Sequence, residues 1–105
     1  MLAALLVGCG TRSPGIVEGS SRERAVVIRG ANNSQEAIAA ENAWVQKRHP
    51  NSTKMDQTVV FADDKVYDVV TYRTTKGEFL DVYFDITELF QKMREQDRET
   101  NAGQR

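Results

Sequence analysis

A chain of 105 residues holds one small domain with little to spare. Its 14 Lys and Arg stand against 15 Asp and Glu, without the basic excess of a nucleic-acid binder. A single Cys and a single His exclude an internal disulfide framework and a His-based metal cluster.

The amino terminus differs from the rest. Leu2 to Val7 is an unbroken apolar run that leads through Gly8 to the only cysteine, Cys9. A helix crossing a bilayer needs about 20 apolar residues, so this run is too short to span one. An apolar segment that closes on small residues is the ending of a secretory signal. The order Leu6-Val7-Gly8-Cys9 resembles the bacterial lipobox. That resemblance implies a diacylglycerol thioether on Cys9 and removal of residues 1–8, leaving a membrane anchor. Acyl chains bury methylenes at roughly 0.8 kcal/mol each, enough in combination to hold a protein at a bilayer. No Lys or Arg lies between Met1 and Cys9, and the natural start is expected upstream. Gly10, where an Asp would imply retention at the inner membrane, implies the periplasmic face of the outer membrane in a Gram-negative host.

Residues 9–24 form the lipidated tether, rich in Gly, Ser and charge and lacking apolar periodicity. About 15 flexible residues reach roughly 20 Å. Gly15 to Glu18 has the composition to add an irregular strand to the body. The domain proper is placed at 25–97, with a disordered polar tail at 98–105.

Ala25 to Arg29 is a short β-branched run stopped by Gly30, which predicts a strand. Asn33, followed three residues later by Glu36, is a capping-box pattern for a helix running to about Arg48. Ala37, Ala40, Glu41 and Trp44 share one side of it, with Ile38 and Val45 adjacent. Pro50 then ends it. Three strands follow at Lys54 to Ala62, Lys65 to Thr74 and Glu78 to Asp85, separated by turns at Asp63-Asp64 and Lys76-Gly77. Asp85 and Glu88 repeat the cap pattern before a last helix from Thr87 to about Gln96. The order β-α-β-β-β-α predicts an α+β fold, an antiparallel sheet of three to four strands packed on one helix.

A two-residue loop at Lys76-Gly77 places Thr75 opposite Glu78. One face then carries Tyr67, Val69, Thr71, Leu80, Val82, Phe84 and Ile86, assigned to the core beneath the Trp44 helix. The other carries Asp68, Val70, Tyr72, Phe79, Asp81, Tyr83 and Asp85, joined through Asp63-Asp64 by Val59, Phe61 and Val66. A slip of one residue in either turn exchanges the sets. Val70, Tyr72, Phe79 and Tyr83 among carboxylates form the candidate interaction face, for an envelope protein or for a homodimer. The alternative is that the last helix or the amino-terminal segment covers them.

The residues offer little for catalysis. Asp68 and Asp85 are expected cross-strand neighbours near Asp81, more typical of a solvated sheet than of an acid–base pair. Asp63-Asp64 lacks the spaced ligands of a calcium loop. His49 lies at a helix end, and no phosphate-binding glycine loop is present. The expectation is a protein that is not an enzyme and that holds no metal and no cofactor.

From Ser34 to Thr87 the layout resembles the PepSY domain, a small module of the bacterial envelope. The resemblance is carried by Glu36-Ala37 at the helix start, Val66-Tyr67-Asp68-Val69 in the second strand and Val82-Tyr83-Phe84-Asp85-Ile86-Thr87 in the third. Glu88 stands where that family has Gly. The resemblance implies a non-catalytic restraint on a peptidase, or a sensor of envelope components. A small-ligand carrier is the remaining alternative.

Overall fold

Two turns set which side chains meet. The computed structural model describes residues 18–103. The Leu6-Val7-Gly8-Cys9 motif and the tether as far as Val17 lie outside them. Strand β2 runs Thr53–Ala62 and β3 runs Lys65–Arg73, antiparallel, with Ala62 opposite Lys65. Asp63 and Asp64 form the two-residue turn, both left-handed at φ 54° and 62°. That geometry matches the twist of a hairpin, and Asp tolerates it better than most residues do.

The second hairpin departs from expectation. Strand β4 runs Phe79–Asp85, and Tyr72 lies opposite Leu80. Thr74 N–H donates to the Glu78 carbonyl at 2.8 Å, so the loop is Thr75-Lys76-Gly77 with Gly77 at φ 84°. Thr74 Oγ1 also accepts from the amides of Lys76 and Glu78, at 3.3 and 3.2 Å. This three-residue loop moves β4 by one position against the expected pairing. Leu80, Val82 and Phe84 therefore share a face with Val66, Asp68, Val70 and Tyr72. Tyr67, Val69 and Thr71 lie on the opposite face with Phe79, Asp81, Tyr83 and Asp85.

Helix α1, Ser34–Arg48, covers the first of these faces. Asn33 Oδ1 accepts from Glu36 N–H and Glu36 Oε1 accepts from Asn32 N–H, both at 2.9 Å, so the helix starts where the capping pattern places it. Ala37, Glu41 and Val45 are its buried residues, four apart on one stripe, while Ala40 is exposed. Half-buried Trp44 meets the edge of Phe84 with ring centroids 5.8 Å apart. His49 closes the helix through its N–H to the Val45 carbonyl at 2.7 Å.

Helix α2, Thr87–Gly103, continues well past the expected end at Gln96 and takes up most of the segment assigned to a disordered tail. Asp85 starts it by accepting from Thr87 N–H at 3.0 Å and from Thr87 Oγ1 at 2.6 Å. Glu88 does not complete a capping box. It accepts instead from Gly30 N–H at 2.7 Å and pins the loop ahead of α1. Leu89 joins the core, and Phe90 and Met93 pack against it.

The sheet order is β1-β4-β3-β2, where β1 is Val26–Val27. Strand β1 is shorter than expected and pairs parallel with β4, so the sheet is mixed and not antiparallel throughout. A 3-10 turn at Arg22–Arg24 precedes it. The last part of the expected tether thus belongs to the body: the Gly19 carbonyl accepts from Tyr83 N–H at 2.7 Å. Gly19 has φ +86°, and a Cβ there would meet Val82 Cγ1 at 3.0 Å. The result is a small α+β domain, a four-stranded mixed sheet packed against two helices in the order β-α-β-β-β-α.

Candidate functional site

Strand β2 forms one edge of the sheet, and none of its residues is buried. The helices close over β3 and β4 and leave its flank open. Gln57, Val59 and Phe61 point to the helix-covered face, opposite Val70, Asp68 and Val66 in the hairpin register. Val59 is 44% exposed and Phe61 67%. Phe61 touches the edge of Phe90 on α2, with centroids 5.5 Å apart, at the side of a shallow groove that Arg94 also lines. Met55, 51% exposed, is the extra residue of a bulge where pairing shifts between Lys54 and Asp56. From Asp56 to Ala62 the pairing with β3 is unbroken.

The four side chains expected to share an interaction face are separated by the one-residue slip in β4. Val70 and Tyr72 are buried under α1, and the Tyr72 hydroxyl donates to Asn42 Oδ1 at 2.8 Å. Phe79, 67% exposed, and half-buried Tyr83 lie on the opposite face. Asp68 and Asp85 do not meet either: Asp68 faces Phe84, and Asp85 faces Tyr67 while capping α2. Asp81 accepts from Thr71 Oγ1 at 2.6 Å.

The unusual chemistry lies where the sequence reading put none. Glu41 on α1 and Asp68 on β3 are both buried in the layer between helix and sheet. Gln57 Nε2 donates to Asp68 Oδ2. Both Glu41 oxygens and Asp68 Oδ1 have no hydrogen-bond partner. Burial, and then the neighbouring Asp68 carboxyl, push Glu41 up to about 9 from its ordinary 4.5, with Lys54 opposing. No direct hydrogen bond of ordinary geometry joins the two carboxyls, yet they are near enough for Asp68 to favour the neutral acid. Both effects favour the neutral, protonated form of Glu41. Burial and the same two carboxyls push the Tyr72 phenol up to about 12. The sign of this site was in the sequence: Glu41 interrupts the apolar stripe of α1. The sequence reading gave it no role, because its partner sits on a distant strand.

This pair is sealed from solvent, whereas the β2 edge and its apolar side chains are open. Of the two, only the edge is placed to meet another molecule. Among the described residues, no helix is long and apolar enough to cross a membrane. Compared with known proteins, the chain matches no family model, no curated protein and no solved structure.

Proposed function

We propose that the protein is a lipid-anchored, non-catalytic protein of the cell envelope, acylated on Cys9, whose α+β body binds another envelope protein. The anchor rests on the order Leu6-Val7-Gly8-Cys9 and on the absence of any second cysteine. The binding role rests on one observation, the open β2 edge with Val59 and Phe61 exposed beside it. An edge strand offers unpaired backbone groups, and exposed apolar side chains next to them add the contact area that a partner buries. In a Gram-negative host Gly10 directs the protein to the periplasmic face of the outer membrane. Labelling with palmitate, with the native upstream region present, should mark the wild type and not Cys9→Ala. An unlabelled, unprocessed wild type would remove the envelope assignment.

The run of α1 followed by the antiparallel strands β2, β3 and β4 supports a second reading, a PepSY-like modulator of an envelope peptidase. It requires the chain to slow such a peptidase at a near-stoichiometric ratio, and a panel of periplasmic proteases left at full rate would end it.

A further inference from the structure

Resting on that reading of β2 as the docking edge, we infer that the protein seated there is a second copy of this chain, paired antiparallel through residues 56–62. Natural sheets guard their edges with bulges and charges. Strand β2 is guarded in one half only: the bulge at Met55, with Lys54 and Asp56 beside it, disrupts pairing there. The other half is regular and carries Val59, Val60 and Phe61 with no charge among them.

A two-fold axis normal to the sheet through Val59 uses that regular half completely. Gln57 then faces Phe61 of the second copy, Thr58 faces Val60 and Val59 faces its own counterpart. Because facing residues lie on the same side of a sheet, the exposed Val59 and Phe61 are covered from both copies. The helices stay on one side of a continuous sheet, twice the present four strands.

Charge selects this register over its neighbours. Beyond Asp56 it brings Lys54 to the second copy's Asp63-Asp64 turn, twice by symmetry. Moving the axis to Val60 would set Asp56 against Asp64, like charges in direct opposition. Moving it to Thr58 would force the bulge into the ladder. Confinement to one membrane would raise the effective concentration of copies for one another.

Cysteine pairing in the full chain with Cys9→Ser tests the register. Val59→Cys should give a disulfide-linked dimer under mild oxidation, and Thr58→Cys should form no disulfide across the interface, since its own counterpart is not opposite. The molar mass from light scattering should be doubled for the parent chain. It should return to one copy for Val59→Lys, with the circular dichroism spectrum of the folded chain retained. A monomeric parent chain, a dimer that survives Val59→Lys, or equal crosslinking at positions 58 and 59 would overturn the inference. A photo-crosslinker at position 61 in intact cells separates this from the broader reading. An adduct of twice the chain mass supports the second copy. An adduct with a different protein overturns it and leaves β2 a docking edge, and no adduct removes both.

Discussion

Glu41 is the residue whose environment departs furthest from its chemistry. Its folded value is raised to about 9 from 4.5, so the folded state holds a proton that the unfolded chain releases near 4.5. The stability associated with that proton is whole below the unfolded value and is lost progressively as pH rises toward 9, at up to roughly 1.4 kcal/mol per pH unit. Glu41→Gln keeps the shape and supplies a permanent donor. Its melting temperature should be nearly flat from pH 5 to about 9, while the wild type declines across that window. A wild type as flat as the variant would show that Glu41 is not held neutral. Gly19 is the second such residue. Gly19→Ala puts a Cβ on a left-handed backbone and against Val82, and should cost at least about 1 kcal/mol in denaturant unfolding. Glu41 stood out in the sequence only as a charge on an apolar stripe. Gly19 read as one more tether glycine, because its constraint comes largely from Trp44 and Val82, distant in the chain.

Elements were the most legible level, since helix caps, alternation and turn residues act over a few positions. Asn33 and Glu36 mark the start of α1, and Asn33→Ala should lower stability by about 1 kcal/mol through loss of its bond to the Glu36 amide. The Asp63-Asp64 turn likewise has the expected length, and the strand pairing through it follows. The Lys76-Gly77 turn misled by one residue. A Gly near a hairpin tip serves both a two-residue loop and a three-residue loop whose last position is left-handed. Thr74 helps stabilise the longer one through its hydroxyl, and every side chain of β4 changes face as a consequence. The helix α2 extends past its apolar residues through a polar stretch, which apolar periodicity does not mark.

For the molecule as a whole, that single slip decides which aromatic residues hold the domain together. Tyr72 lies in the core and Phe79 in solvent, although they were expected on one surface. Tyr72→Ser should therefore cost about 3 kcal/mol or more in thermal or denaturant unfolding, close to other large-to-small core changes. Phe79→Ser should stay within about 0.5 kcal/mol of the wild type. Equal effects of the two would contradict the observed β4 register. The body also leaves the β2 flank uncovered, because α1 is narrow, with Ala, Glu and Val on its buried stripe, and lies over β3 and β4. Only the assembled sheet shows which strand is left at the edge.

The sequence by itself determined the elements, their order and the α+β class, because those follow from local periodicity, caps and turn residues. It also carries the Cys9 motif. The tertiary structure alone decided the face of each β4 side chain, the parallel pairing of β1 with β4 and the meeting of Glu41 with Asp68. Each of these depends on contacts between residues far apart in the chain. Strand pattern repeats every second residue, so alternation marks two faces without naming which one the helix will cover.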